Sequence, residues 1–332
     1  MATYMVEKDV YDSATKSAPC TLNALRLSDN SVVGATETLE SDVVLPNTRI
    51  KSVPESGTES SSGSIESEWN IDEQDDLIAS VMCSDWVSDN TDIAESPSAS
   101  GDIVSKKTLK LGTEKKEWYM FKYFDQAPKE WRKFDGLQIN QMTITMALNS
   151  FVKLSFDMLG ANNPLGVNKD PSVNAEYGTA LTTKSFKTLQ GYIKLGADFE
   201  NLTALRQCPN FDLTVNNNKE ATQALFETES IEMSDGDFEV TGNLEIWKAD
   251  EIGMTLFNEA VSGADKAIEI SVSRDWYDTV NARDMTTEYT IQLQAHLQAP
   301  SESKDGNKYK VAVPYSVNVD EGIKFIKTEK IK

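Results

Sequence analysis

The stretch Gly63–Met82, GSIESEWNIDEQDDLIASVM, has a counterpart in VTGNLEIWKADEIGMTLFNEAV, Val240–Val261. Gly242 stands 179 residues after Gly63, and the spacing holds without a gap for Ile65/Leu244, Glu66/Glu245, Leu77/Leu256, Ile78/Phe257, Val81/Ala260 and Met82/Val261. Each copy begins as an alternating segment and then turns to apolar residues at i, i+1, i+4 and i+5. Period 2 followed by period 3.6 is a strand leading into an amphipathic helix. Asp72 and Asp250 are expected N-caps, followed by Glu73 and Glu251 in the first turn, where the helix dipole favours acids. Helices are expected over 72–84 and 250–262. The two copies imply a duplicated module.

Outward from this pair, the order of elements repeats. Leu22–Leu45, with Leu25 and Leu27 alternating, a Ser-Asp-Asn-Ser turn and the run Val43-Val44-Leu45, suggests a hairpin before the first copy. NFDLTVNNNKEATQALF (210–226) has the same form before the second. The Ser- and Gly-rich PESGTESSSGS (54–64) is expected to be a flexible loop. Strands are expected at Val104–Leu111, Trp118–Phe124, Gln138–Leu148, Val152–Leu159 and Thr188–Leu195. After the second copy come Ala267–Val272, Glu288–Leu297 and Val311–Val319. The fold class expected is β-rich (α+β): two duplicated β-sandwich domains, each with one flanking helix. The first spans 1–160 with an N-terminal arm, 161–205 is a junction, and 206–332 is the second.

Composition narrows the function. A chain of 332 residues, 26% charged and 39% apolar, fits a globular protein large enough for two cores. No apolar run is long enough to span a bilayer, and MATYMVEKDVYDS lacks the apolar core of a signal peptide. Three scattered cysteines (Cys20, Cys83, Cys208) argue against a disulfide framework and for synthesis in a reducing cytoplasm. A net charge of −21 makes a poor general DNA binder, because affinity for the phosphate backbone comes from replacing counterions with Lys and Arg.

Chemistry is sparse. The single histidine, His296, shares its parity with Gln292, Gln294 and Gln298 in an alternating run and is expected on a polar surface. No Walker, GxGxxG or HExxH motif occurs, no catalytic residue or cofactor is expected, and the acidic clusters 72–76 and 235–237 lack EF-hand spacing. Val104–Phe134 runs against the overall charge, with nine Lys and Arg among Trp and Tyr. It reads as a mixed-charge solvated hairpin, a basic surface docking on an acidic one of the next subunit, or a nucleic-acid contact. Trp131 and Phe134, with Arg132 and Lys133, sit near an expected hairpin tip and are candidates for a contact with another subunit, though folding back on their own domain serves equally.

The repeated Gly63-Ser64-Ile65-Glu66 and Val240-Thr241-Gly242-Asn243-Leu244-Glu245, each followed by an acidic helix start and an apolar-faced helix, resemble the two halves of a phage tail tube protein. The type resembled is that of long-tailed phages, with two tube domains in one chain. The resemblance implies a structural virion protein that polymerises as stacked rings, three copies per ring with pseudo-sixfold symmetry, made in the bacterial host cytoplasm and located in the virion tail. It implies as partners the chain itself, the tape measure protein, tail terminator and baseplate proteins, and DNA that passes through the channel without specific binding; membrane insertion is not implied. Glu66, Glu68 and Glu245 become candidates for the lumen, although the sequence leaves open which face turns inward. Leu77, Ile78, Val81 and Met82, with Leu256, Phe257, Ala260 and Val261, become the repeated core positions. Another phage component (baseplate or decoration protein) and a secreted β-sandwich binding module are the alternatives.

Overall fold

The computed structural model describes residues 1–15, 18–39, 55–126, 129–162, 171, 175–205, 208–223, 225, 227–229, 232–247, 251–305, 308–317 and 322–332. The first half runs β1 (Ala2–Glu7), α1 (Lys8–Ser13), β2 (Cys20–Leu25), β3 (Asp29–Asn30), β4 (Val33–Leu39), β5 (Glu55–Glu68) and α2 (Asp75–Val81). Then come β6 (Val87–Ser88), β7 (Ile103–Lys110), β8 (Trp118–Phe124), β9 (Glu130–Ala147), β10 (Lys153–Gly160) and β11 (Ala175–Tyr177). The second half starts with β12 (Gly191–Gly196), β13 (Leu202–Ala204), β14 (Asn210–Asn216), β15 (Glu220–Thr222), β16 (Glu232–Ser234), β17 (Glu239–Trp247) and α3 (Glu251–Val261). It closes with β18 (Asp265–Asp278), β19 (Arg283–Leu297), β20 (Ser301–Asp305), β21 (Lys308–Val317) and β22 (Ile323–Ile331).

Eight antiparallel strands form one sheet in the order β4-β5-β10-β9-β14-β17-β21-β20. A second sheet runs β13-β12-β18-β19-β22-β7-β6. A third joins the first part of β9 to β8, β1, β2 and β11. The fold is therefore the expected β-rich one. The long strand β9 explains how the sheets meet: 130–137 pairs with β8, and 138–147 pairs with β10 and β14.

Alternation decides which face each strand buries. On β9, Met142, Ile144 and Met146 point into the core, together with Leu154 and Phe156 of β10, Leu213 and Val215 of β14, and Val311 and Val313 of β21. α2 buries Leu77, Ile78 and Val81 in the same core, with Met82 just beyond its end. α3 buries Leu256 and Ala260, leaves Phe257 half-buried and exposes Val261, so the last expected core position fails. Val261 ends the helix immediately before the turn through Gly263 and is exposed.

Several expectations need correction. PESGTESSSGS is no loop: from Glu55 onward it is β5, held by β4 on one side and β10 on the other. Tertiary hydrogen bonding overrides a local composition that favours turns. The Leu22–Leu45 hairpin does not form; β2 pairs with β1 and β11, whereas β4 pairs with β5, and 40–45 lies outside the described residues. Asp72 is not an N-cap. It takes a left-handed conformation (φ +67°), and Gln74 precedes the helix without a side-chain cap. Glu73 turns away to hold the Arg26 guanidinium at 2.6 Å. Asp250 lies outside the described residues.

The junction segment has a definite task at its end. Phe186 donates its N–H to the Trp69 carbonyl and packs edge-on against Trp69 and Tyr289. This aromatic cluster, with residues from β19 and the end of β5, ties the two halves together. Both glycines of the repeated stretch are sterically required. A Cβ on Gly63 (φ +141°) would lie 2.6 Å from the Val32 Cα, and one on Gly242 would meet the Tyr315 hydroxyl at 2.3 Å. Gly242→Ala is expected to cost about 1–3 kcal/mol through overpacking, read as a lower urea midpoint. Tyr315→Leu in the same chain should relieve part of that loss.

Candidate functional site: the polar face of the eight-stranded sheet

The face of the eight-stranded sheet opposite the core is polar along most of its width. One row of cross-strand neighbours reads Asp29, Glu66, Ser155, Thr143, Thr214, Thr241, Ser316. The next rows run Glu68, Lys153, Thr145, Asp212, Asn243, Pro314 and Ser64, Asp157, Gln141, Asn216, Glu239. The hydroxyls of Thr143 and Thr214 meet at 3.3 Å where β9 abuts β14. Ser and Thr are short, so the middle of this face is low, whereas at its β17–β21 side Trp247 stands on the same face with Lys308 and Lys310 over its ring.

Its charge is acidic. Glu66, Glu68, Asp157, Asp212, Glu239 and Glu245 share the face with the cations Lys153, Lys308 and Lys310. All three acids singled out from the sequence therefore fall on one face. Glu68 accepts a hydrogen bond from Ser185 at 2.5 Å, and Glu245 lies 3.7 Å from Lys310. Burial raises the Asp157 pKa, and the charge of Glu66 adds to it. Burial also raises Asp212; its hydrogen bonds to Asn243 oppose the rise and Glu245 reinforces it. Asp157, Asp212 and the Ser/Thr rows were missed at the sequence level, although the parity of β9 and β14 already separates them from the apolar set.

The other candidates disperse. Phe134 is buried at 2% exposure, so it is a core residue and not a contact for another subunit. Trp131 is half-buried, stacked on Tyr177 (5.3 Å, 10°) and close to Tyr123 and Tyr4. Arg132 bonds Glu130 and covers Phe124, and Lys133 lies 3.5 Å from the Tyr119 ring centre. The basic stretch is largely neutralised: Lys106 faces Asp89 and Asp92, Lys115 faces Asp235, and Lys116 faces Asp85. Lys122 is buried, bonds the carbonyls of Val32 and Asn30, and is pushed down to about 8 by burial first and Arg132 second. The acidic clusters are likewise engaged, Asp72 and Asp75 with Lys327 and Asp235 with Lys219. His296 sits half-exposed, 2.9 Å from Asp265.

The eight strands present one long, continuous polar face. The family model described as phage tail tube protein matches residues 2–297. The chain belongs to the phage tail tube protein family. No curated protein matches it. As a tail tube protein it is a structural component of a virion tail. Among its described residues, no helix is long and apolar enough to cross a membrane.

The polar face carries a pH signature. Ionised Asp157 and Asp212 are disfavoured in the folded chain, so their penalty is present above their raised pKa values. It fades as pH falls toward the ordinary 3.8. Asp157→Asn and Asp212→Asn should each raise the melting temperature at pH 7, and the gain should vanish below pH ~3.8. A gain that persists unchanged in acid contradicts this electrostatic account.

Proposed function

We propose that three copies of the chain close into a ring around a channel, that rings stack into a tube, and that the polar face of the eight-stranded sheet lines the channel through which DNA passes. The observation that carries this reading is the junction of β9 with β14. There a strand of the first half pairs, over Asn210–Asn216, with a strand of the second half, so the two halves already share one continuous wall.

The strand order supports duplication. β4-β5-β10-β9 and β14-β17-β21-β20 have the same sequence of connections, with α2 and α3 following the second strand of each set. The antiparallel pairs β1–β2 and β12–β13 join β8 and β18 in the same way. On this correspondence the second unit begins near Gly191 and takes in the last part of the 161–205 junction. Two units per chain make a threefold ring pseudo-sixfold.

The same correspondence gives a register for the seam between copies. Glu66 faces Asp29 on one side and reaches Thr143 through Ser155. Glu245 faces Asn210 and reaches Ser301 through Ala312. Since Thr143 pairs with Thr214, four residues beyond Asn210, Ser301 of one copy belongs opposite Val33 of the next. Val33 is 60% exposed, and among the described residues β4 pairs only with β5 and β20 only with β21. Unpaired strand edges are templates for pairing, and ring closure satisfies them.

Acidic lumen groups repel phosphate, so DNA keeps its counterions and slides. The tape measure protein, the tail terminator and baseplate proteins are the further partners of such a tube. Val33→Cys combined with Ser301→Cys should give covalent dimers and trimers on oxidation, seen on denaturing gels, while each single variant stays monomeric. Isolated rings should have the mass of three chains. A ring of six chains, or a double variant that stays monomeric in assembled tubes, overturns the arrangement.

A further inference from the structure

Lys327 projects from β22 into the aromatic junction between the halves and is 5% exposed. It stands opposite Tyr289 of β19 on one side and Lys107 of β7 on the other. Its Nζ lies 2.6 Å from Asp75 Oδ2, touches Asp72 Oδ1, and sits 5.4 Å from the centre of the Tyr289 ring. The Tyr289 hydroxyl donates to the other oxygen of Asp75, Oδ1, at 2.6 Å. Trp69 and Phe186, both fully buried, pack on Tyr289, and the half-buried Trp86 lies against its ring from the α2 side.

This is an unusual place for a plain ion pair. Removing both charges from water costs several kcal/mol per ion. Burial drives Asp75 toward its neutral acid, with Lys327 and the Tyr289 hydroxyl only partly opposing. Burial also works against the Lys327 ammonium, and the two aspartates outweigh it. The carboxyl carbon of Asp75 lies no more than about 3.8 Å from the amine, one C–O bond beyond Oδ2. A fixed, water-poor contact of that kind gives an intramolecular reaction a high effective concentration.

We propose that Lys327 and Asp75 condense into an isopeptide bond that joins α2 to the last strand. Asp72 takes a proton from the Lys327 ammonium, and the freed Nζ lone pair attacks Asp75 Cγ. The Tyr289 O–H holds Oδ1 as it gathers negative charge. The Nζ–Cγ bond forms, Nζ then gives up a second proton, Asp72 relays both protons in turn to Oδ2, and the Cγ–Oδ2 bond breaks as Oδ2 leaves as water. Nothing is oxidised or reduced; ammonium and carboxylate become one neutral amide and one water. Asp72 acts as the proton carrier and Tyr289 as the positioning donor. The bond removes a buried pair of charges and closes a loop between positions 252 apart. Such closure restricts the unfolded chain as a disulfide does. The three described cysteines are all free, so this would be its covalent brace.

Intact-mass measurement of the full-length protein under denaturing conditions tests this without any variant. The expected mass is that of the sequence less one water, and a digest should contain a branched peptide joining Lys327 to Asp75. A mass equal to that of the sequence overturns the proposal, and a branch at Asp72 overturns the assignment of acceptor. Lys327→Arg should restore the full mass. Asp72→Ala should slow formation of the branched peptide at least tenfold in freshly made protein; an unchanged rate removes Asp72 as proton carrier.

Discussion

Pairing between β9 and β14 is the constraint from which the rest follows. Seven residues of β14 meet 141–147 in an unbroken antiparallel ladder, so the halves cannot rotate independently without losing a run of backbone hydrogen bonds. Buried backbone groups left unpaired are costly, which makes this join rigid even though the side chains on its outer face are small and hydrated. The rigid join forces Met142, Ile144 and Met146 onto the same side as Leu213 and Val215, so one core serves both halves. It equally forces Thr143, Thr145, Asp212 and Thr214 onto the opposite side.

A second lock sits beneath the first. Trp69 at the end of β5, Phe186 from the junction segment and Tyr289 on β19 meet with ring centres 5.0–5.8 Å apart. β22, after pairing with β19, continues the second sheet into β7, which belongs to the first half of the chain. The halves are thus joined by two sheets and an aromatic plug.

Much of this was legible in sequence where alternation is strict. Met142, Ile144 and Met146 set β9, and Leu77, Ile78 and Val81 set α2, because their periods leave one interpretation. The tube family was legible from the pair of glycine-led strands leading into helices. What failed did so where long-range contacts outweigh local chemistry. The serines of 56–62 look like a loop until β4 and β10 flank them. Asp72 looks like a cap until Lys327, 255 positions away, claims its carboxylate. Phe134 looks like a tip residue only if the β8–β9 turn is placed too late; the strand resumes at Glu130, and alternation then turns Phe134 inward. Glu66, Glu68 and Glu245 were singled out within their own strands, whereas the face they share required the register of six others.

The free edges pose the remaining physical problem, since a sheet built to pair with a neighbour also invites wrong pairing. β4 is not a smooth template. Its ladder with β5 shifts register between Thr36 and Thr38, and the strand is separated from β3 by a break at Ser31-Val32 that only Gly63 can accommodate. Bulges and breaks twist an edge away from flat, register-free association. Lys122 reinforces that shape from inside, its buried ammonium bonding the carbonyls of Asn30 and Val32 on either side of the break. An edge held in this bent form accepts a partner bent to match and discriminates against a straight strand. In the proposed ring the partner is β20, a strand of five residues. Selectivity in that ring resides in backbone shape, which leaves the side chains of the polar face free to line the proposed channel.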